Sequence, residues 1–241
     1  MNTLSDIVNI MEAEGYVGAH SLLFLIKYAY LADDKKLMDL VINTMESMKS
    51  LPESPMLLKA YKELYKATGR CHEIVEFLQG REANLSKGDM PWDLLDKYEE
   101  TYEEEYLDKA IRGGKFILEH FHEMFDPKAV YDLKEPSLNS RVAVLYDALA
   151  RYTQDDAFLA ARKNQNKMIR MLADKYPTKV SYGLIALLGE EFGETTVVCE
   201  GEIPASVRNF YAPTTAIVFK KSDVNKIGIM KDGVIEPLNI E

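Results

Sequence analysis

The chain has 241 residues, of which 47% are hydrophobic, and its formal net charge is −10 at pH 7. This composition indicates a globular chain with a sizeable core, in one large domain or in one domain with a small appendage, and excludes wholesale disorder. The acidic balance disfavours nucleic-acid and anionic membrane partners, because both require clustered Lys and Arg. No segment has the pattern of a secretory signal or a membrane span, and Cys71 and Cys199 lack metal-ligand spacing. We therefore predict a cytoplasmic protein with reduced cysteines.

Helical periodicity dominates the first part of the chain. Thr3 or Ser5 is available as the N-cap of the first helix, and Gly15 interrupts the apolar pattern after it. Ser54 followed by Pro55 predicts a cap and a first-turn proline. The helices predicted in this part are Leu4–Met11, Ala19–Ala32, Leu37–Met48, Met56–Ala67 and Cys71–Leu78.

The same periodicity continues to about residue 190, with irregular chain predicted over 80–91 and 126–136. Gly113 and Gly114 fall inside a predicted helix, where they indicate close packing against a neighbouring helix. The helices predicted in this part are Trp92–Glu100, Glu104–Phe125, Asn139–Tyr152, Asp155–Lys175 and Thr178–Glu190.

A weak repeat underlies these helices, because similar short turns join pairs of them. The turns around Asp33, Gly69 and Gln154 each connect an apolar helix to a second one, and Thr101 marks a similar junction. Three of these turns lie roughly 33 to 36 residues apart, and the last follows a longer insertion. A single helical hairpin cannot bury its own apolar face, so repeated hairpins predict an α/α barrel or a solenoid.

The last fifty residues change character. TTVVC from Thr195 and TTAIVF from Thr214 are short β-branched runs typical of strands, and a short helix is expected between them. Asp232-Gly233 predicts a hairpin turn between two further strands, 226–231 and 233–238. We therefore divide the chain into a helical-hairpin domain, residues 1–192, and a small strand-rich subdomain, residues 193–241.

Histidine and acidic residues are present, but their spacing does not match that of known metal sites or catalytic pairs. His120 and His122 lie two apart on a predicted helix and face different directions, so no metal site is predicted. The acidic run from Glu99 to Glu105 is expected to be a solvated helix face, because glycoside cleavage needs carboxyls on opposite sides of a sugar. No phosphate loop, dinucleotide fingerprint or nucleophile elbow is present, and no cofactor is predicted.

Aromatic residues give the one positive indication of a ligand. Several lie at or beside predicted breaks between helices, where the mouth of a helical barrel would collect rings on which sugars stack. The alternative is that most of these rings belong to the core. The set is Tyr16, Trp92, Phe125, Tyr131, Tyr176 and Tyr182.

Parts of the chain resemble a known family. The segments are EGYVGAHSLLFLIKYAYLADDKKLMDLVINTMESM, YLDKAIRGGKFILEHF, DPKAVYDLKEPSLNSRVAVLYDALARYTQDDAFLAARK and DKYPTKVSYGLIALL. They are similar to the C-terminal region of the thioredoxin-domain-containing proteins related to bacterial YyaL and mammalian spermatogenesis-associated protein. That resemblance implies an α/α barrel of the six-hairpin glycosidase and N-acylglucosamine epimerase type.

The chain also departs from that family. These 241 residues match no part of the thioredoxin-like domain, and we expect the family's glycine-rich loops and histidine-containing motif to be deleted around Leu51 to Pro55. Leu133 and Leu138 stand where glycines are expected. With about ten predicted helices, fewer than a full barrel needs, we expect a mostly α chain whose hairpins form an incomplete α/α toroid, with a small C-terminal strand-rich α/β appendage.

Three functions remain open. The first is a shortened, catalytically reduced relative of carbohydrate-acting barrels, in which Asp132 is the one nominated acid and His20 its partner. The second is an interaction module that binds itself or a separate thioredoxin-like protein, and the third, ranked last, is a tetratricopeptide-like solenoid. The first hypothesis places a carbohydrate-like ligand against Tyr16, His20, Tyr131, Asp132, Asn139 and Tyr182.

Overall fold

The computed structural model describes residues 2–15, 18–48, 54–70, 88–124, 126, 129–133, 135–231 and 234–238. Over these residues the chain is mostly helical and ends in a small four-stranded mixed sheet. The predicted helix Cys71–Leu78 lies outside the described residues. The first four helices are α1, Leu4–Glu14; α2, Ala19–Leu31; α3, Lys35–Ser47; and α4, Pro55–Thr68.

Capping residues set the ends of these helices as the sequence predicts. Thr3 caps α1 by accepting a hydrogen bond from the backbone of Asp6, whose carboxylate accepts one from the backbone of Thr3 in return. Gly15 ends α1 in the left-handed conformation, where a side chain is disfavoured. At α4, Ser54 accepts from the Leu57 amide and Pro55 opens the first turn.

The second group of helices also follows the predicted order. After α8 the chain forms two 3₁₀ turns, Pro177–Lys179 and Gly183–Leu187, before α9. The helices are α5, Pro91–Thr101; α6, Glu104–Met124; α7, Leu138–Thr153; α8, Asp156–Ala173; and α9, Leu188–Phe192.

The continuous last helix predicted for Thr178–Glu190 is wrong, and Asp132 provides the reason. The backbone N–H of Asp132 donates to the carbonyl of Lys179 at 2.6 Å. The Asp132 carboxylate also accepts the Tyr182 amide at 2.9 Å. In an α-helix both groups would bond to residues four positions away. Because Asp132 forms hydrogen bonds with the Lys179 carbonyl and the Tyr182 amide, the segment forms tighter 3₁₀ turns instead of one α-helix.

Four short strands form the C-terminal sheet in the order β2-β1-β3-β4. β1 runs parallel to β2, with Val197 opposite Ile217, and antiparallel to β3. β3 and β4 pair antiparallel, as predicted for a hairpin, although its turn residues lie outside the described part of the chain. A short helix, α10, Ala205–Arg208, precedes β2. The strands are β1, Thr195–Glu200; β2, Thr215–Lys220; β3, Lys226–Lys231; and β4, Val234–Pro237.

The outer edge of β2 is covered by the helices. The Tyr98 hydroxyl donates to the carbonyl of Ile217 at 3.1 Å and accepts from the amide of Phe219 at 2.9 Å. Glu104 accepts the amide of Lys221, just beyond the strand. Burial raises the pKa of Tyr98 to about 12, so its hydroxyl keeps its proton and serves as both donor and acceptor.

Two apolar cores organise the molecule. The first joins α1–α4 with the 3₁₀ segment, and the second joins α5–α8 with the inner face of the sheet, including Val198 and Val218. α7 and α8 contribute to both cores, as Ala143 and Phe158 illustrate. The predicted domain boundary at residue 192 coincides with the change from helix to strand, but the sheet shares its core with the second group of helices. The division into two domains stays a prediction.

Gly113 and Gly114 lie where helices approach closely, as predicted. A Cβ atom at Gly114 would overlap the side chain of Leu149 and touch the ring of Phe158, and one at Gly113 would overlap Pro91. These glycines bring α6 against α7 and α5, which helps to build the second core.

Candidate functional site

A cleft lies between α4 and α5, the two helices that flank the gap between the cores. α4 packs against α2 and α5 against α6, so their remaining faces are free to form a wall on each side. Two adjoining cavities of about 690 and 390 Å³ make up this central cleft. The lining shared by both consists of Lys59, Glu63, Lys66, Trp92, Asp96, Glu99 and Tyr182.

The walls of the central cleft carry charges of opposite sign. On α4 the residues at three- and four-residue spacing are mostly basic, and on α5 they are acidic, so each series occupies one helix face. Lys59 Nζ lies 2.6 Å from Asp96 Oδ1, and Lys62 Nζ lies 3.2 Å from Glu100 Oε1. The α4 series is Lys59, Lys62, Glu63 and Lys66, and the α5 series is Asp93, Asp96, Glu99 and Glu100.

Pairing keeps partly buried Lys59 and buried Glu63 in their charged forms. Burial alone would lower the pKa of Lys59, but the Asp96 carboxylate raises it above its ordinary value. Burial alone would raise the pKa of Glu63, but its ion pair with Lys27 lowers it below the ordinary value. The central cleft therefore holds fixed positive and negative groups whose partners are already in place.

At the inner end of the cleft a second network fixes Arg151 and Tyr152. Arg151 Nη2 lies 3.0 Å from Asp147 Oδ2, and its Nε, which lacks a hydrogen-bond partner, is buried. The Tyr152 hydroxyl donates to Glu99 at 3.0 Å. Burial and the Glu99 charge raise the pKa of Tyr152 well above its ordinary value, so it remains a hydrogen-bond donor.

Aromatic rings line the cleft between these charges. Trp92, the one tryptophan of the chain, lies under the guanidinium of Arg141 at 5.3 Å. Tyr182 is almost fully buried. Tyr102 adopts a left-handed conformation with φ of 57°, which is strained for a residue with a Cβ and is concentrated at functional sites in proteins.

The connection from β1 to β2, here called the crossing segment and comprising residues 201–214, reaches over the mouth of the cleft. Its Arg208 guanidinium lies 5.4 Å from the ring of Tyr102. Its Tyr211 hydroxyl donates to Glu63 at 2.8 Å, and the Tyr211 ring packs edge-on against Tyr30. The crossing segment thus links the sheet to α2 and α4 across the opening.

One acidic side chain in the cleft differs from the rest. Burial, followed by the negative charge of Asp96, raises the pKa of Asp93 above its ordinary value. No Lys or Arg of the described chain lies within ion-pair distance of Asp93. It is therefore the lining carboxyl that most readily retains a proton.

Of the six residues predicted to surround a ligand, Tyr182 is the one described residue that lines the cleft, and Trp92 from the aromatic set lines it as well. Tyr16 lies outside the described residues. Asp132 is buried and accepts the amides of Ser137 and Tyr182, both at 2.9 Å, so its carboxylate holds two chain segments together. Asp132 and Tyr182 are therefore neighbours, joined through this backbone contact.

The other three predicted residues occupy separate environments. His20 is buried, and its Nε2 lies 2.8 Å from the carbonyl of Leu133, while its Nδ1 has no partner. Tyr131 packs edge-on against Tyr176 and under the amine of Lys179. Asn139 is buried in α7. A ligand role for these residues stays a prediction, and the structure places none of the three in the lining of the central cleft.

The sequence contained a signal for the cleft that periodicity analysis overlooked. The acidic run from Glu99 to Glu105 was expected to be a solvated face, and its glutamates are exposed, while Glu99 and Glu100 also line the open cleft. Two helices with charged stripes of opposite sign at three- and four-residue spacing are complementary surfaces. Matching the basic stripe of α4 to the acidic stripe of α5 would have located the site.

Within the described ranges no three His, Cys, Asp or Glu side chains cluster as metal ligands would. Among the same residues no helix combines the length and apolar character needed to cross a bilayer.

Comparisons with protein-family models, with curated proteins and with solved structures gave no match to this chain.

Proposed function

We propose that the central cleft binds a small carbohydrate-like ligand within an incomplete α/α toroid. The observation that supports this most directly is the lining itself, where Trp92 and Tyr182 lie among prearranged ion pairs. A cavity of about 690 Å³ has the size of small-molecule sites in proteins. Aromatic faces stack on sugar rings, while fixed charges and hydroxyls bond to sugar hydroxyls.

The arrangement of helices supports the toroid part of the proposal. Helix pairs α2 and α4, α5 and α6, and α7 and α8 pack as neighbours. α4 and α5 face each other across a gap bridged by charged side chains rather than by an apolar core. A ring of hairpins with one gap would produce such an opening.

The carboxyl geometry favours binding without glycoside cleavage. Asp93, with its raised pKa, lies near Asp96, which pairs with Lys59, and glycosidases also use two carboxyls at one sugar. They lie three residues apart on the same face of α5, however, and cleavage requires carboxyls on opposite sides of the sugar. We therefore propose a binding protein rather than a hydrolase.

Intrinsic fluorescence tests the proposal directly, because the one tryptophan lies in the cleft. We expect a saturable change in Trp92 emission, and a rise in the melting temperature, with at least one member of a panel of mono- and disaccharides. Lys59→Met should weaken that response at least tenfold. Lys36→Met, which removes an exposed lysine on α3, is the matched control and should bind as the wild type does.

Two results would contradict carbohydrate binding in the cleft. One is a panel in which no sugar changes either the emission or the melting temperature. The other is a sugar response that Lys59→Met leaves intact. Hydrolysis of any sugar in the panel would instead contradict the binding-only assignment.

A second function, self-association through β4, is favoured by a separate observation. β4 is the end strand of the sheet, and all its residues, 234–237, are exposed, with Val234 at 65%. An exposed end strand offers backbone groups for pairing with another strand. Light scattering across a concentration series should show a dimer that Ile235→Lys weakens, and a monomer at all concentrations would rule it out.

A further inference from the structure

Two cationic side chains at the central cleft have no acidic partner among the residues that the structure describes. Lys66 and Arg208 both line the larger cavity, and no carboxylate of the described chain lies within ion-pair distance of either. The other lining cations each have a carboxylate within that distance. These pairs are Lys27 with Glu63, Lys59 with Asp96, Lys62 with Glu100, Arg141 with Glu135, and Arg151 with Asp147.

Both unpaired cations are exposed side chains that line the larger cavity. Lys66 belongs to the last turn of α4, close enough to Glu63 to lower the pKa of that carboxyl but not to pair with it. Arg208 ends α10, and its guanidinium lies over the ring of Tyr102 at 5.4 Å. The Tyr102 ring in turn packs edge-on against the ring of buried Tyr98.

The charge of the lining contrasts with that of the whole chain. Among the described residues, seven Lys and Arg side chains and six Asp and Glu side chains line the two cavities, whereas the chain as a whole carries a net charge of −10. Acidic chains repel anions in general. The described lining lacks the negative excess of the whole chain, so an anion meets less repulsion in the cleft than on the average surface of this protein.

We infer that the ligand of the central cleft carries an anionic group, a carboxylate or a phosphate, which binds between Lys66 and Arg208. This inference rests on the proposed carbohydrate function and names the chemical class of its ligand as an acidic or phosphorylated sugar. The anionic end lies toward the crossing segment. The rest of the ligand extends along the cleft toward Trp92 and Asp93, where the aromatic face and the proton-retaining carboxyl are found.

The test compares probes that differ only in charge. Trp92 emission and melting temperature are followed with glucose, glucuronate, glucose 6-phosphate and inorganic phosphate at low ionic strength. We expect one or both charged sugars to bind at least tenfold more tightly than glucose. Lys66→Met and Arg208→Met should each weaken that binding about fivefold, the ratio that a solvated contact between unit charges supports. High salt should remove the difference.

Matched controls and a distinction between probes complete the design. Lys36→Met and Arg112→Met remove exposed cations elsewhere and should bind as the wild type does. Preference for glucuronate identifies a carboxylate ligand, and preference for glucose 6-phosphate a phosphorylated one. Arg208→Lys retains the charge but not the planar stack, so it should recover part of the affinity lost in Arg208→Met.

The outcomes separate this inference from the proposed function. Glucose binding as tightly as both charged sugars overturns the anionic ligand while leaving a carbohydrate site. Inorganic phosphate binding that depends on Lys66 and Arg208, without any sugar response, supports the anion site and overturns the carbohydrate assignment. No response to phosphate or to either charged sugar overturns the anion site, as does a response that both substitutions leave unchanged.

Discussion

Asp132 was nominated from the sequence as a ligand-binding acid, but its contacts predict that it stabilises the fold. Its two carboxylate oxygens accept the buried amides of Ser137 and Tyr182, each at 2.9 Å. Asp132→Ala leaves both amides without a partner, and each buried unsatisfied amide costs about 1–3 kcal/mol. We therefore expect the free energy of unfolding to fall by about 4 kcal/mol, which is large for a single substitution.

A second variant tests the number of hydrogen bonds. Asp132→Asn keeps one carbonyl oxygen as an acceptor but presents an amide group to the other N–H, so about 2 kcal/mol should be lost. Asp39→Ala removes an exposed carboxylate on α3 and is the matched control, with an expected change within about 0.5 kcal/mol. Urea denaturation followed by circular dichroism measures the free energy of unfolding of all three variants. The comparison is valid if the dependence of that free energy on urea concentration is the same in each.

The reasoning is refuted if Asp132→Ala is as stable as Asp39→Ala. If the Ala variant remains stable and yet loses a sugar response at Trp92, the original assignment of Asp132 as a ligand-binding acid is supported instead. Loss of stability together with normal binding in the folded fraction would confirm a role confined to the fold.

Three further predictions concern the second core and the cleft. Tyr98→Phe should lower the free energy of unfolding by about 2 kcal/mol and speed hydrogen exchange at the Phe219 amide, because the hydroxyl that accepts it is lost. Equal exchange rates in the two proteins would contradict this. Gly114→Ala should lower the free energy of unfolding, measured in urea, by about 1–2 kcal/mol, because overlap with Leu149 outweighs the gain in helix propensity. A more stable variant would show that Leu149 moves to make room for the methyl group. Asp93→Asn should raise the melting temperature relative to wild type at pH 7. A raised pKa in the folded state means that stability is lost as the pH rises through it, so the advantage should vanish near pH 4, and a pH-independent difference would refute the assignment.

The helices and strands were largely predictable because their causes are local. Apolar spacing, the Thr3 and Ser54 caps and the left-handed Gly15 act within one or two turns of chain, and the structure confirms them. The last predicted helix failed for the opposite reason. Its hydrogen bonds are redirected by Asp132, about fifty residues earlier, and no local pattern contains that contact.

The site was less predictable because it depends on which helices face each other. Tyr182 was identified from its place at a helix break, and it does line the cleft. Lys59 and Asp96 were not identified from the sequence, because each has the pattern of an ordinary solvated charge on its own helix. Their role follows only from the 2.6 Å contact between α4 and α5, which joins residues 37 positions apart. The α/α toroid and the family resemblance stay predictions.

The unequal edges of the sheet limit how copies of this protein can polymerise. Tyr98 and Glu104 occupy the backbone groups at the β2 side, while β4 is open. A sheet with one open side can join another such sheet once, after which neither partner offers a further edge, so growth into a ribbon or fibril stops at two copies.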